Sequence, residues 1–209
     1  DYGNPFDITN KKGLKINANG YIELDIGKTN VNLNHIWIAN SSENTVSKLN
    51  TKTGKEEGRY KICSNPSRTS VDLNGDCWVG CRGDGSVAKI KADKKTCVDK
   101  NGNGVIETST SSSVVSNDEC IQFIVNPDGK TVARAAGVDK DNHAWIGFWN
   151  SKRLRRLEPN AGQSVDQINI GCNPYGLVID QKGIIWIAGR GCSALLRVDP
   201  KTKSIKNVG

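Results

Sequence analysis

Apolar and polar positions alternate in short runs along this chain, separated by clusters of Gly, Asn, Asp and Ser, and nothing in the pattern has a helical period. The runs repeat. Trp37, Trp78, Trp145 and Trp186 head copies of one segment: HIWIANSSENTVSKL, DCWVGCRGDGSVAKI, HAWIGFWNSKRLRRL and IIWIAGRGCSALLRV. A small residue follows two places after each Trp, at Ala39, Gly80, Gly147 and Ala188. The Trp spacings are 41, 67 and 41 residues, one period interrupted once. Ahead of the Trp strand lies an extended run that ends in an acid and a turn, as in Ser70-Val71-Asp72-Leu73-Asn74-Gly75 and Val178-Ile179-Asp180-Gln181-Lys182-Gly183. Behind it come a polar turn, a third strand (Val46 to Leu49, Val87 to Ile90, Leu154 to Leu157, Leu195 to Val198) and a turn to a fourth, such as Pro200-Lys201-Thr202-Lys203. A four-stranded sheet cannot bury both its faces alone, so a repeat of this length predicts stacked propeller blades. The expected fold is all-β: a single β-propeller domain or segment over residues 1–209, with about four blades, either a small ring or part of a larger one.

The third strand carries a basic residue at one place in every copy: Lys48, Lys89, Arg156 and Arg197. We expect this column near the outer rim, where charge discourages edge pairing and long stems cover apolar surface. An anion-binding stripe is the alternative.

Composition narrows the function classes. A net charge of +7, scattered over all repeats, is too mild a bias for a nucleic-acid binder. No apolar run approaches the ~18 residues of a membrane span, so none is expected. The chain lacks Met and begins at Asp1, as a processed product or fragment would. Seven Cys with no C-x-x-C spacing indicate disulfides and an oxidising compartment, hence an extracellular or cell-surface location. Asn40-Ser41-Ser42 has the form of a glycosylation acceptor, consistent with secretion.

Cys63 and Cys172 precede the first strands of equivalent repeats, while Cys81 and Cys192 lie at or just after the end of a Trp strand. Both places belong to one face of a propeller, so Cys63–Cys81 and Cys172–Cys192 are the expected pairs, with Cys97–Cys120 closing the extra segment. Cys77 is left over. It is four residues from Cys81, ~13 Å on a strand, beyond the ~7 Å limit for a bridge. A buried thiol is expected, with an intermolecular bridge as the other option.

Asn173-Pro174-Tyr175-Gly176-Leu177-Val178-Ile179-Asp180 and Gly183-Ile184-Ile185-Trp186-Ile187 resemble repeats of the streptogramin lyase-like and NHL-type β-propellers, of the secreted prokaryotic type. The resemblance covers nearly the whole chain outside the insertion. It implies the propeller fold and, for the lyases of that group, a His with a nearby Glu on one ring face that open a cyclic depsipeptide ester with magnesium. Those lyases often place Glu just after the aromatic strand; the matching positions here are Asn40, Cys81, Phe148 and Gly189.

The interruption adds 26 residues between the second and third Trp and contains Asp99-Lys100-Asn101-Gly102-Asn103-Gly104-Val105-Ile106-Glu107-Thr108. This follows the calcium-loop pattern: side-chain oxygens at alternate positions converge on one ion, Gly permits a sharp turn, and a main-chain carbonyl adds a ligand. Expected ligands are Asp99, Asn101, Asn103 and the Val105 carbonyl. The acid usual at the twelfth position is Thr110 here, so Glu107, Asp118 or Glu119 must supply the missing carboxylate. Two neutral amides among hard oxygen donors suit calcium over a transition metal, and an Asn/Gly turn without an ion is the alternative. The inserted calcium loop is placed at about 97–120, with Ser109 to Ser113 an exposed low-complexity tail.

Arg68, Arg82, Arg134, Trp149, Tyr175 and Arg190 fall before first strands or just after Trp strands and should gather on one loop face. Aromatic and basic residues together can stack on sugars and pair with carboxylates or sulfates, so a protein or an anionic carbohydrate is the expected partner, with self-assembly a further option. Arg82-Gly83-Asp84 reads as a chance integrin-like triplet in a tight turn, and His35 and His143 as ordinary strand-edge histidines. The function expected is that of a non-catalytic extracellular calcium-binding module for adhesion, ligand binding or surface assembly; the alternative is a streptogramin lyase-like enzyme acting on a cyclic ester.

Overall fold

The computed structural model describes residues 14–16, 18–19, 22–24 and 33–208. The chain divides into two units, Asp1–Asn32 and Leu33–Gly209. In the first, Leu14–Ile16 (β1) and Ile22–Leu24 (β2) pair as an antiparallel hairpin.

The second unit is a series of antiparallel meanders. His35–Asn40 (β3), Thr45–Asn50 (β4) and Glu56–Lys61 (β5) form a three-stranded sheet. Three four-stranded sheets follow: Pro66–Val71 (β6), Cys77–Cys81 (β7), Val87–Ile90 (β8) and Ile121–Val125 (β9); Ala133–Val138 (β10), Ala144–Phe148 (β11), Arg153–Leu157 (β12) and Ser164–Asn169 (β13); Asn173–Ile179 (β14), Ile185–Arg190 (β15), Ala194–Asp199 (β16) and Ser204–Asn207 (β17). The sheets stack in chain order through their leading strands, β3 on β6, β6 on β10 and β10 on β14. This is a propeller segment of four blades. No described helix is long and apolar enough to cross a membrane.

The Trp frame sets the stacking. Trp37, Trp78, Trp145 and Trp186 lie opposite Lys48, Lys89, Arg156 and Arg197 in the same register. Side chains alternate across a strand, so the Trp points at the following sheet and its two neighbours at the preceding one. Trp37 packs with Cys77 and Val79, Trp78 with Ala144 and Ile146, and Trp145 with Ile185 and Ile187. Each buried indole removes about 150–250 Å² from water, roughly 4–6 kcal/mol of transfer free energy. The residue two places on must be small because the next leading strand passes over it. A Cβ at Gly147 would lie 2.7 Å from Pro174 Cβ, and one at Gly80 would lie 3.1 Å from the Ala133 carbonyl oxygen.

The basic column is not at the rim. Lys89 and Arg156 take as partner the acid ending their own leading strand, Asp72 and Asp139, while Lys48 reaches Glu57 and the Ala92 carbonyl. Oδ1 of Asp72 accepts the backbone N–H of Asn74 and Asp76 (2.9 and 3.1 Å), Asp139 does the same for Asp141 and His143, and Asp180 for Lys182 and Ile184. These are Asx turns, which free the second oxygen to face the sheet. There Arg156 Nε donates to Asp139 at 2.8 Å, and the Trp186 indole N–H to Asp180 at 3.0 Å. Lys89 is only 2% exposed, with its ammonium 3.2 Å from Asp72, 3.6 Å from Asp76 and 5.2 Å from the Trp78 ring centre. The next sheet covers it: Lys89 Nζ donates to the Pro159 carbonyl at 3.1 Å.

Disulfides join Cys63 to Cys81 and Cys172 to Cys192 at equivalent places in the repeat, and Cys97 to Cys120 across the insertion. Cys77 is a buried thiol, pushed well up by burial and then by Asp72 and Asp76.

Candidate functional site

Leading strands β6, β10 and β14 begin at the same end of the stack where Trp strands β7, β11 and β15 finish. Each leading strand carries a register shift at this end, between Pro66 and Arg68, Ala133 and Ala135, and Pro174 and Gly176. A bulge adds one unpaired residue and re-aims its side chain. The added residues are Ser67, Arg134 and Tyr175, one per blade, so two of the residues expected on the loop face are turned there by the same backbone device.

Around them the face assembles. The Arg134 guanidinium lies 4.3 Å from the Tyr175 ring centre and 5.7 Å from that of Trp149, and the Arg68 guanidinium lies 5.1 Å from Tyr175. Trp149 and Tyr175 meet edge to face at 6.3 Å. The backbone of Trp149 is pinned, its N–H donating to the Val132 carbonyl and its own carbonyl accepting from Asn173 Nδ2, both at 2.8 Å. Tyr175, Ala188, Gly189 and Arg190 line a cavity of about 370 Å³. A hydrogen bond from Arg134, reinforced by the charges of Arg134, Arg68 and Arg190, holds the Tyr175 hydroxyl below the usual phenol range.

Arg68, Arg134, Trp149, Tyr175 and Arg190 are thus brought together. Arg82 stays with its own sheet, donating to Asn65 Oδ1 at 2.7 Å. The exposed Tyr175 ring carries Arg68 and Arg134 against it, so the aromatic and basic residues of this face form one cluster. The bulges were invisible in the sequence because one extra residue in a strand leaves the alternation on either side intact.

The other candidates are tied elsewhere. Asp84 of the Arg82-Gly83-Asp84 triplet accepts the backbone N–H of Ser64 and Ser86, both at 2.9 Å. Asp84 also stands beside Cys63 and Cys81, but a disulfide offers no thiolate ligand. The Asn40 amide donates to Thr45 and Ser47 within its own hairpin. Among the remaining positions that follow the aromatic strand, Cys81 is bridged, Phe148 is buried and Gly189 packs on Cys192. His35 Nε2 is 2.8 Å from Glu57, and His143 Nδ1 is 3.1 Å from the Asp141 carbonyl. His35 opens its Trp strand and His143 immediately precedes its own, so His143 stands about 20 Å along the chain direction from Trp149.

The insertion replaces the turn between β8 and β9, at the opposite end of the strands. Oδ1 of Asp99 accepts Gly102 N–H at 2.7 Å and Oδ2 accepts Gly104 N–H at 2.8 Å, with φ of +74° and +81° at those glycines. The Gly104 N–H, followed by those of Gly102 and Asn103, holds the Asp99 carboxyl below the usual range against the opposing pull of desolvation. The Asn101 and Asn103 amides donate to the Glu107 carboxylate at 3.1 and 2.7 Å, so the loop closes on Glu107. Asp118 and Glu119 hold the backbone of the loop. Glu119 accepts the N–H of Lys100 and Glu107, at 2.7 and 2.8 Å, clamping the two ends of the loop. Asp118, 1% exposed, accepts from Thr108 Oγ1, Ser109 N–H and Cys120 N–H. Ser109 is therefore buried, not part of an exposed tail; its hydroxyl accepts the Val115 N–H at 3.0 Å. Ile106, Cys97 and Cys120 pack into the core of Trp37 and Tyr60, where burial, then Asp118, pushes the Tyr60 hydroxyl up to about 12.

No family model and no curated protein matches the chain. Solved structures do. A streptogramin B lyase structure superposes with a TM-score of 0.62 at 16% identity, over 93% of this chain and 60% of that one. A virginiamycin B lyase from Staphylococcus aureus gives 0.57 at 14% identity, over 95% and 63%, and the hydrazine synthase of Kuenenia stuttgartiensis gives 0.62 at 12%, over 100% and 53%. At these identities the likeness is one of fold, a streptogramin lyase-like β-propeller. The chain spans about 60% of the length of the lyase structures it resembles.

Proposed function

We propose that this chain is a non-catalytic extracellular β-propeller module that takes a ligand on its loop face, in adhesion or surface assembly, and uses calcium to hold its insertion. The observation that carries this reading is the convergence of Arg68, Arg134, Trp149, Tyr175 and Arg190 on one face, where Tyr175 and Arg190 line a cavity. Three disulfides suit an oxidising compartment. Lyase chemistry of the kind implied by the resemblance is the weaker reading for these residues, since the face presents arginines and aromatics while His35 and His143 stand at the other strand ends. Binding to glycan and peptide arrays tests it: ligands retained by the wild type should be lost with Tyr175→Ala. Equal retention by the two proteins would remove the face from the function.

For calcium, the support is donor chemistry. Asp99 and Glu107 are carboxylates, and interchanging the nearly isosteric O and N of the Asn101 and Asn103 amides turns their oxygens toward Glu107. Asp99, Asn101, Asn103, the Val105 carbonyl and Glu107 would hold one ion at ~2.3–2.6 Å. Asp118 and Glu119 would support the loop from behind. Calorimetric titration should give one calcium per chain. Chelation should speed cleavage between Cys97 and Cys120 while leaving the β-sheet circular dichroism unchanged, because each blade keeps its own stacked core. No heat of binding, or cleavage indifferent to calcium, would leave an Asn/Gly turn without an ion.

A further inference from the structure

We infer that the cavity beside Tyr175 receives a compact oxyanion, a carboxylate or sulfate carried on a sugar-sized ligand, which rests on the ligand-face reading and gives that ligand its chemistry.

The first argument is charge. Arg59, Arg153, Arg155 and Arg156 all have carboxylate partners within 4.0 Å. Among the described residues Arg68, Arg134 and Arg190 have none; Arg82 and Arg197 have none either, but Arg68, Arg134 and Arg190 all act on one ring, Tyr175. Three guanidiniums gathered without a counter-charge raise the local anion concentration and repel one another until an anion arrives. Arg134 adds a more specific sign, because its Nε is buried and has no hydrogen-bond partner. A buried donor left unmade is costly, and an acceptor from a ligand would relieve it.

Orientation is the second argument. Arg68 and Arg134 both lie against the Tyr175 ring and Arg134 also lies near Trp149, and because a guanidinium has five N–H donors, the one that Arg134 gives to the Tyr175 hydroxyl leaves others for a ligand. The fork of donors then matches the oxygens of a carboxylate or sulfate. An anion uses these arginines where they lie, whereas a neutral sugar gains nothing from their charge.

Size is the third. The space beside Tyr175 is a shallow, open depression of about 370 Å³ bounded by Tyr175, Ala188, Gly189 and Arg190, room for one small ligand at the surface. A protein partner needs roughly 800 Å² on each side. One acidic unit, free or within a chain, fits the scale.

The test is titration of the calcium-loaded chain with glucuronate, glucose 6-sulfate, inorganic sulfate and glucose, followed by calorimetry or backbone amide shifts. Glucuronate or glucose 6-sulfate should bind, the tighter of the two naming the anion; inorganic sulfate should bind more weakly, and glucose not at all. Arg134→Gln and the exposed Arg190→Gln should each weaken binding about tenfold or more. Tyr175→Phe, which keeps the ring platform, should stay within about twofold. Added salt should weaken binding. Glucose binding as tightly as glucuronate, unchanged affinity in Arg190→Gln with native circular dichroism, or no binding of either acidic sugar would overturn the inference. Loss of array ligands in Tyr175→Ala without oxyanion binding leaves the face intact and removes only its anion chemistry. Acidic-sugar binding that persists in Tyr175→Ala removes the face itself.

Discussion

Lys89→Ala should destabilise the chain by about 3–5 kcal/mol, far more than any other change in the basic column. Lys89 is 2% exposed and lies between Asp72 and Asp76, whose side chains are 0% and 2% exposed. Lys91 still reaches Asp76 at 2.8 Å, but Asp72 Oδ2 has no hydrogen-bond partner apart from its ion pair with Lys89. Truncation therefore strands a carboxylate in the interior, and the protein must either hydrate it or protonate it. A Lys89→Met, Asp72→Asn double variant, which removes both charges and keeps most of the volume, should recover much of the loss. Lys48→Ala, at a half-buried site with a 3.8 Å contact to Glu57, should cost no more than about 1 kcal/mol. Urea unfolding followed by Trp fluorescence measures all three. A Lys89→Ala midpoint close to that of Lys48→Ala would mean that water already reaches the cluster.

Replacing Cys97 and Cys120 together by Ser should cost about 3 kcal/mol, since the bridge closes a loop whose ends are 23 residues apart. The effect should extend past the insertion. Cys97, Ile106 and Cys120 belong to the same core as Trp37 and Tyr60, so releasing the loop wets the face of the first sheet. Unfolding should show a lowered midpoint, and the Trp37 contribution to native fluorescence should shift to the red. An unchanged midpoint in calcium would mean that hydrogen bonding by Asp118 and Glu119 holds the segment without the bridge.

These two results bear on different levels of the same design. The loop face is built at one end of the strands by bulges on a rigid stack, while the insertion is fastened at the other end by a bridge and by buried acids. Damage to the insertion should therefore spare the arginine cluster, and substitutions in the cluster should leave the stack standing.

Much of this architecture is legible in the chain. The Trp frame, the small residue two places on and the acid before each turn are local signals repeated four or three times, and repetition makes them readable without coordinates. Cys63–Cys81 and Cys172–Cys192 follow from the same frame, because equivalent positions in a repeat fall on the same face. Gathering Arg68, Arg134, Trp149, Tyr175 and Arg190 follows too, since strand ends must cluster where sheets stack. What the chain could not reveal depends on the neighbouring sheet. Lys89 looks like a surface charge until Pro159, 70 residues away, closes over it. The bonds that Asp118 and Glu119 accept from backbone N–H groups, and the bulge that sets Arg134 against Tyr175, are likewise absent from any local pattern. Burial and partnership are properties of segments that meet only when the blades stack, and no local alternation of apolar and polar residues records which surface the next blade will cover.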